Sequence, residues 1–159
     1  MLWQTNAITP SHEHFLTMHI KQKILVHIER LQSLNPKPSD KTVVLFLPKN
    51  ETHDLGLQFI NYEILSYGFH SIFLGESIPM EDLKYINELY DEITYISYFT
   101  VEPEEDEVER YLKRFAKTYL ENSKNRAKFI GRRICNIDRQ QLPEKIQLYK
   151  TIEDLVKDL

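Results

Sequence analysis

Runs of apolar residues short enough for strands alternate with longer stretches in which apolar positions recur every three or four residues. Over residues 11–34, Leu16, Ile20, Ile24, Ile28 and Leu31 fall on one stripe that Phe15, Met18 and Leu25 widen, which predicts a single long amphipathic helix. Thr9 or Ser11 can cap its start, Pro10 suits its first turn, and Asn35-Pro36-Lys37-Pro38 ends it. Beyond that break the pattern alternates. Strands are predicted over 42–47, 70–74, 94–99, 128–130 and 146–149, and helices over 54–67, 80–90, 104–120 and 151–159.

The first of these strands is apolar throughout, as expected for one covered on both faces. Repeated strand–helix units imply right-handed crossovers, a parallel sheet and helices on both of its sides. The expected fold is therefore α/β: a five-stranded, parallel, flavodoxin-like (Rossmann-like) sheet of order 2-1-3-4-5, preceded by one long helix. Residues 1–35 form the helical part, 36–41 the linker and 42–159 the α/β domain.

Composition narrows the function classes. With 42% hydrophobic and 28% charged residues in 159, the chain can bury a core and is not a disordered one. A formal charge of -4 offers nucleic acid no general attraction. The single cysteine, Cys135, excludes an internal disulfide and a multi-cysteine zinc site, and a cytoplasmic location is expected. No apolar run approaches a membrane span.

Candidate chemistry concentrates where an open parallel sheet binds ligands, at the carboxyl ends of its strands. Glu51-Thr52-His53-Asp54-Leu55-Gly56 follows the first strand and opens the next helix. An imidazole there can ligate a metal through one nitrogen while a carboxylate two residues earlier orients the other. Gly56 permits a flat ligand to approach the backbone. Equally, His53 can serve as part of a helix start and Gly56 as a packing site. Ser97, at the end of the third strand, and Gly131, after the fourth, are expected to line the same crevice more deeply. A flavodoxin phosphate loop would need Ser, Thr and Gly where Pro48-Lys49-Asn50-Glu51 stands, and a phosphoacceptor domain would need an aspartate where Ser97 stands. In the N-terminal part, Trp3 precedes Glu13-His14 by nine intervening residues, so the three can meet a ligand together or simply form a solvated helix start beside a buried tryptophan.

Taken together, these two regions resemble the cobalamin-binding sensor half of MerR-type transcriptional regulators, over essentially the whole chain. The resemblance implies that Trp3, Glu13 and His14 lie over the upper face of a corrin and that His53 binds cobalt from below. Glu51 and Gly56 match the rest of the family's Asp-x-His-x-x-Gly motif, with glutamate for aspartate. The family's Ser-x-Leu lining for the nucleotide tail appears as Ser97-Tyr98-Phe99, and its Gly-Gly loop as Gly131-Arg132, where arginine can obstruct the tail or hold a phosphate. Gln4 stands where light-sensing members carry an upper histidine ligand. Most of the family's helical bundle and its winged-helix DNA reader have no counterpart in this chain. The implied function is a non-enzymatic, cobalamin-responsive domain, homo-oligomeric and acting on DNA only through its parent. A corrinoid carrier for methyl transfer and a cofactor-free interaction domain are the alternatives.

Overall fold

The computed structural model describes residues 9–32 and 42–159. Helix α1 spans Pro10–Gln32. It is followed by β1 (Thr42–Pro48), α2 (Leu55–Ser66), β2 (Ser71–Ile78), a 3-10 turn at Met80–Leu83 that leads into α3 (Lys84–Asn87), β3 (Ile93–Tyr98), α4 (Val108–Phe115), β4 (Arg126–Ile130), β5 (Ile146–Tyr149) and α5 (Ile152–Lys157). The sheet is five-stranded, of order β2-β1-β3-β4-β5, and every pairing is parallel. This is the flavodoxin-like arrangement expected from the sequence. All seven residues of β1 are buried, which follows from its place between two strands and two helical layers.

Side-chain alternation divides the core into two layers. On one side Val44, Phe46, Tyr95, Phe99 and Phe129 meet Leu83, Val108, Leu112 and Phe115 of the α3–α4 layer. On the other, Val43, Leu45, Leu47, Ile96 and Ile130 meet Leu57, Ile60 and Ile64 of α2 and Leu155 and Val156 of α5. Helix α1 stacks outside α2.

Element boundaries differ from the pattern-based expectation in several places. β2 runs on to Ile78 because an edge strand needs no apolar alternation; Gly75 (φ 90°) and Ser77 (φ 54°) carry it through two register shifts against β1. The helix expected from residue 104 starts only at Val108, because the amides of Thr100, Val101 and Glu102 are all spent on the Glu51 carboxylate and hold the chain in a loop. Its end is a π-type turn, Ala116–Leu120, where the Tyr119 hydroxyl donates to the Met80 carbonyl at 2.5 Å.

The α1 stripe is also rotated from the expected one. Leu16 and Ile20 are about half exposed, at 51% each, while Glu13, Thr17, Lys21, Ile24, Ile28 and Leu31 face the body of the protein. Lys21 reaches Asp54, just before α2, and the His27 ring meets Tyr62 farther along it, so the two helices run parallel. Residues of α1 ahead of Lys21 consequently project past the start of α2, over the carboxyl edge of the sheet. His14, seven residues earlier, lies about 10 Å beyond Lys21 along the axis.

Candidate functional site

The loop after β1 is fixed by its own turn and by two neighbouring strands. Asn50 adopts φ 68°, a left-handed conformation that asparagine tolerates, and the Glu51 amide closes the turn on the Pro48 carbonyl at 3.0 Å. Asn50 N–H donates to Ser77 Oγ at 3.0 Å, and Ser77 N–H to the Glu51 carbonyl at 3.1 Å, tying the loop to the end of β2.

Glu51 ties it to β3. Its side chain is fully buried. Oε1 accepts from the amides of Thr52 and His53, each at 3.0 Å, and lies 2.6 Å from His53 Nδ1. Oε2 accepts from the amides of Thr100, Val101 and Glu102 at 3.1, 2.7 and 2.9 Å. Burial raises the carboxyl pKa, but these donors, led by the amides of Glu102, Val101 and His53 and joined by the His53 ring, reverse the effect and leave it at about 2. Glu51 is therefore an ionised, buried hub. One methylene more than an aspartate would have lets the Glu51 carboxylate reach a loop some 50 residues away.

An ionised carboxylate only accepts, so Nδ1 of His53 is the donor to Glu51, and Nε2 is the ring nitrogen that Glu51 leaves unengaged. The side chain is 58% exposed. Beside it, Asp54 pairs with Lys21 of α1 at 2.6 Å, which anchors the overhanging helix next to the imidazole. Among the described residues, no group of three or more His, Cys, Asp or Glu side chains is placed to hold a bare metal ion.

The remaining expected site residues are brought together only in part. Gly56 opens the first turn of α2, where a Cβ would stand 2.7 Å from Tyr98 Cε2. Gly131 (φ 122°) backs onto the Phe99 peptide, with a Cβ placed 2.3 Å from its oxygen. Ser97 falls on the same face of β3 as Ile93, Tyr95 and Phe99, in the α4 layer, whereas Gly56 and Tyr98 belong to the α2 layer. Its hydroxyl is buried without a hydrogen-bond partner. Ser97 thus does not line the α2 side of the crevice. Glu13 is half-buried on the inner stripe of α1, accepting from Thr17 Oγ1 at 3.0 Å, and His14 is exposed. Trp3 lies outside the described residues.

Sequence reasoning missed three participants. Lys21 is one of many charges on α1 and carries no distinguishing signal. Tyr98 occupies an unconstrained position between Ser97 and Phe99, yet its ring fills the space that Gly56 leaves. Arg133 donates through Nε to the Val101 carbonyl at 2.8 Å and pairs with Glu104 at 3.2 Å, bridging the loops after β3 and β4.

Fold and site together define a doubly wound, flavodoxin-like domain with an oriented histidine after its first strand and a helix hanging over it. No protein-family model matches the sequence, and no curated protein matches it either. Solved structures do. The chain is similar to the monomethylamine corrinoid protein of Methanosarcina barkeri, with a TM-score of 0.73 and 13% identity, over 99% of this chain and 73% of that one. It is similar as well to a chain of the methanol:cobalamin methyltransferase complex MtaBC from Methanosarcina barkeri, with a TM-score of 0.58 and 16% identity, over 98% and 58%. A cobalamin-binding protein from Desulfitobacterium hafniense DCB-2 aligns with a TM-score of 0.54 and 14% identity, over 99% and 72%. At these identities the likeness establishes the fold.

Whether the residues suit a corrinoid depends on which end of that cofactor is considered. Its metal end fits: one exposed imidazole with an oriented proton offers a single axial donor. Its nucleotide tail does not fit beside Gly56, because the cradle that a missing side chain creates there is already taken by Tyr98.

Proposed function

We propose that this chain is the ligand-sensing domain of a MerR-type transcriptional regulator and that its ligand is a corrinoid held through His53. The observation that carries this reading is the Glu51–His53 pair, 2.6 Å apart, with the carboxylate sealed among five backbone amides and the second ring nitrogen left to the surface. A buried ionised carboxylate bonded to one nitrogen of an imidazole is an arrangement that fixes a metal-ligating histidine. A corrinoid supplies a cobalt whose four equatorial positions are filled, so one imidazole suffices.

The residues of this chain then act as a reader of occupancy. Glu51 holds the ring tautomer, and the Lys21–Asp54 pair seats α1 beside the site. A ligand lying between His53 and the overhanging part of α1 favours one arrangement of helix and sheet. In the parent protein that preference would alter self-association and, through a separate reader, DNA binding. The chain performs no reaction of its own.

A second reading, a corrinoid carrier serving a methyltransferase, draws support from the names of two of the structural neighbours. The two part on a simple comparison. A sensor changes oligomeric state or α1 exposure when corrinoid is added, whereas a carrier changes neither and instead passes a methyl group to or from a partner enzyme.

Recording visible spectra while adding diaquocobinamide and hydroxocobalamin tests the shared premise. At least one of the two should show a change of axial ligand in the native protein that is lost in His53→Ala. Unchanged spectra with both would leave a cofactor-free interaction domain as the better description.

A further inference from the structure

Resting on the corrinoid reading above, we infer that the site selects corrinoids lacking a nucleotide loop, of the cobinamide kind, over complete cobalamins, and that Tyr98 enforces the choice. Four observations on the carboxyl edge of the sheet converge on this. The Tyr98 ring lies so close to Gly56 that a Cβ would stand 2.7, 3.0 and 3.1 Å from three of its carbons, so the glycine's open side faces a ring of the protein itself. Gly131 is needed for a backbone approach to Phe99: Phe99 N–H donates to the Ile130 carbonyl at 2.8 Å and Arg133 N–H to the Phe99 carbonyl at 3.1 Å. Arg133 spans the neighbouring gap between Val101 and Glu104. The Ser97 hydroxyl is in the opposite layer, where it has no bearing on a group beside Gly56.

The chemistry of the ligand turns this closure into selectivity. When an imidazole takes the lower axial position, the nucleotide base of a complete cobalamin must leave it. That base is tethered to the same ring and competes with His53 at high effective concentration unless the protein gives it a place of its own. Here the space at Gly56, on the helix that follows His53, is filled by Tyr98. A corrinoid without the loop meets no such competitor and asks only for a nitrogen of the His53 side chain, which is 58% exposed.

The test is a pair of titrations on the whole chain, with diaquocobinamide and with hydroxocobalamin, followed by electron paramagnetic resonance of the cobalt(II) forms bound to 15N-labelled protein. A 15N imidazole splits the cobalt lines into doublets and an unlabelled nucleotide base into triplets, so the lower ligand is read directly. Cobinamide should bind at least about ten-fold more tightly, with doublets. Tyr98→Ala should narrow the ratio of the two affinities by about ten-fold, and Tyr98→Phe, which keeps the ring and controls for folding, should preserve it. Equal affinities with doublets for both ligands would overturn the selectivity while leaving His53 as the ligand. A ratio untouched by Tyr98→Ala would overturn the role of Tyr98. If neither corrinoid acquires a protein nitrogen, the corrinoid reading and this inference fall together.

Discussion

Lys21 Nζ lies 2.6 Å from Asp54 Oδ2, joining the middle of α1 to the residue that precedes α2. The same ammonium is 3.6 Å from Glu76 at the end of β2. Apart from this polar anchor, α1 buries little, Ile28 being its one buried residue.

Reversing the charge should therefore lift α1 without unfolding the sheet. Lys21→Glu places a carboxylate against Asp54 and Glu76, and α1 amides should exchange hydrogen faster while those of β1 and β3 keep their protection. Alkaline pH should act in the same direction. The Asp54 hydrogen bond, against the opposing effect of burial, raises the Lys21 pKa above its ordinary 10.5. The stabilisation is full below that value and is lost as pH rises through the higher folded-state value. Hydrogen exchange in α1 unaffected by Lys21→Glu would mean that other contacts seat the helix.

Glu51 makes the opposite prediction at acid pH. Its carboxyl is held at about 2 against an ordinary 4.5, so its contribution is full above about pH 4.5 and disappears as pH falls toward 2. A depression of this size corresponds to about 3 kcal/mol. Glu51→Gln removes the charge and turns an amide NH2 toward a cluster that only donates. Urea unfolding should show a loss of about 3 kcal/mol at pH 7 and a flatter stability profile between pH 2 and 4.5 in the variant. A variant that parallels the native protein across that range would refute the hub.

The way these two anchors form explains what the sequence could and could not reveal. The strand order was legible because β1 is apolar at nearly every position and each strand is followed by a helical segment. The Glu51–His53 pair was legible because both partners lie on one short loop. The other half of the Glu51 shell was not, since it comes from backbone amides at 100–102, which leave no mark in side-chain identity. On α1, Leu16 and Ile20 have the spacing of core residues, yet Glu13, Thr17 and Lys21 share the same periodicity. The choice between the stripes was made by Asp54, which offers a carboxylate where the helix crosses α2. Alternation along β3 gave the face on which Tyr98 lies, but not that its ring would rest on a glycine of another element.

That contact predicts coupled energetics. Gly56→Ala pushes a methyl into the Tyr98 ring, which must shift within a packed layer, at a cost of about 1–3 kcal/mol. Removing the ring first should make the alanine nearly harmless. A double-mutant cycle with Tyr98→Ala, measured by urea denaturation, should give a coupling of at least about 1 kcal/mol. Additive effects would show that the ring yields freely and does not close the space.

At the opposite edge of the sheet, Lys128 predicts an asymmetry between two partners of one ion pair. Its side chain is only 4% exposed, on the face of β4 covered by α5, whereas the Asp158 side chain is half exposed. The ammonium donates to Asp158 Oδ2 at 2.7 Å, to the Asp158 carbonyl at 2.6 Å and to the Tyr149 hydroxyl at 3.0 Å, and that hydroxyl also bonds the Asp158 carboxylate. The lysine thus satisfies the carboxyl end of α5, a helix of six residues, where carbonyls lack internal partners. Its hydrogen bond holds the Asp158 pKa below the ordinary 3.8, with Tyr149 assisting. Asp158→Ala leaves the charge buried with less compensation and should cost about 1–3 kcal/mol. Lys128→Met removes the charge and keeps an unbranched apolar chain in the layer, so it should cost less than Asp158→Ala when both are unfolded in urea. The reverse order would mean that the lysine's bond to the helix-end carbonyl, rather than relief of its buried charge, holds α5 in place.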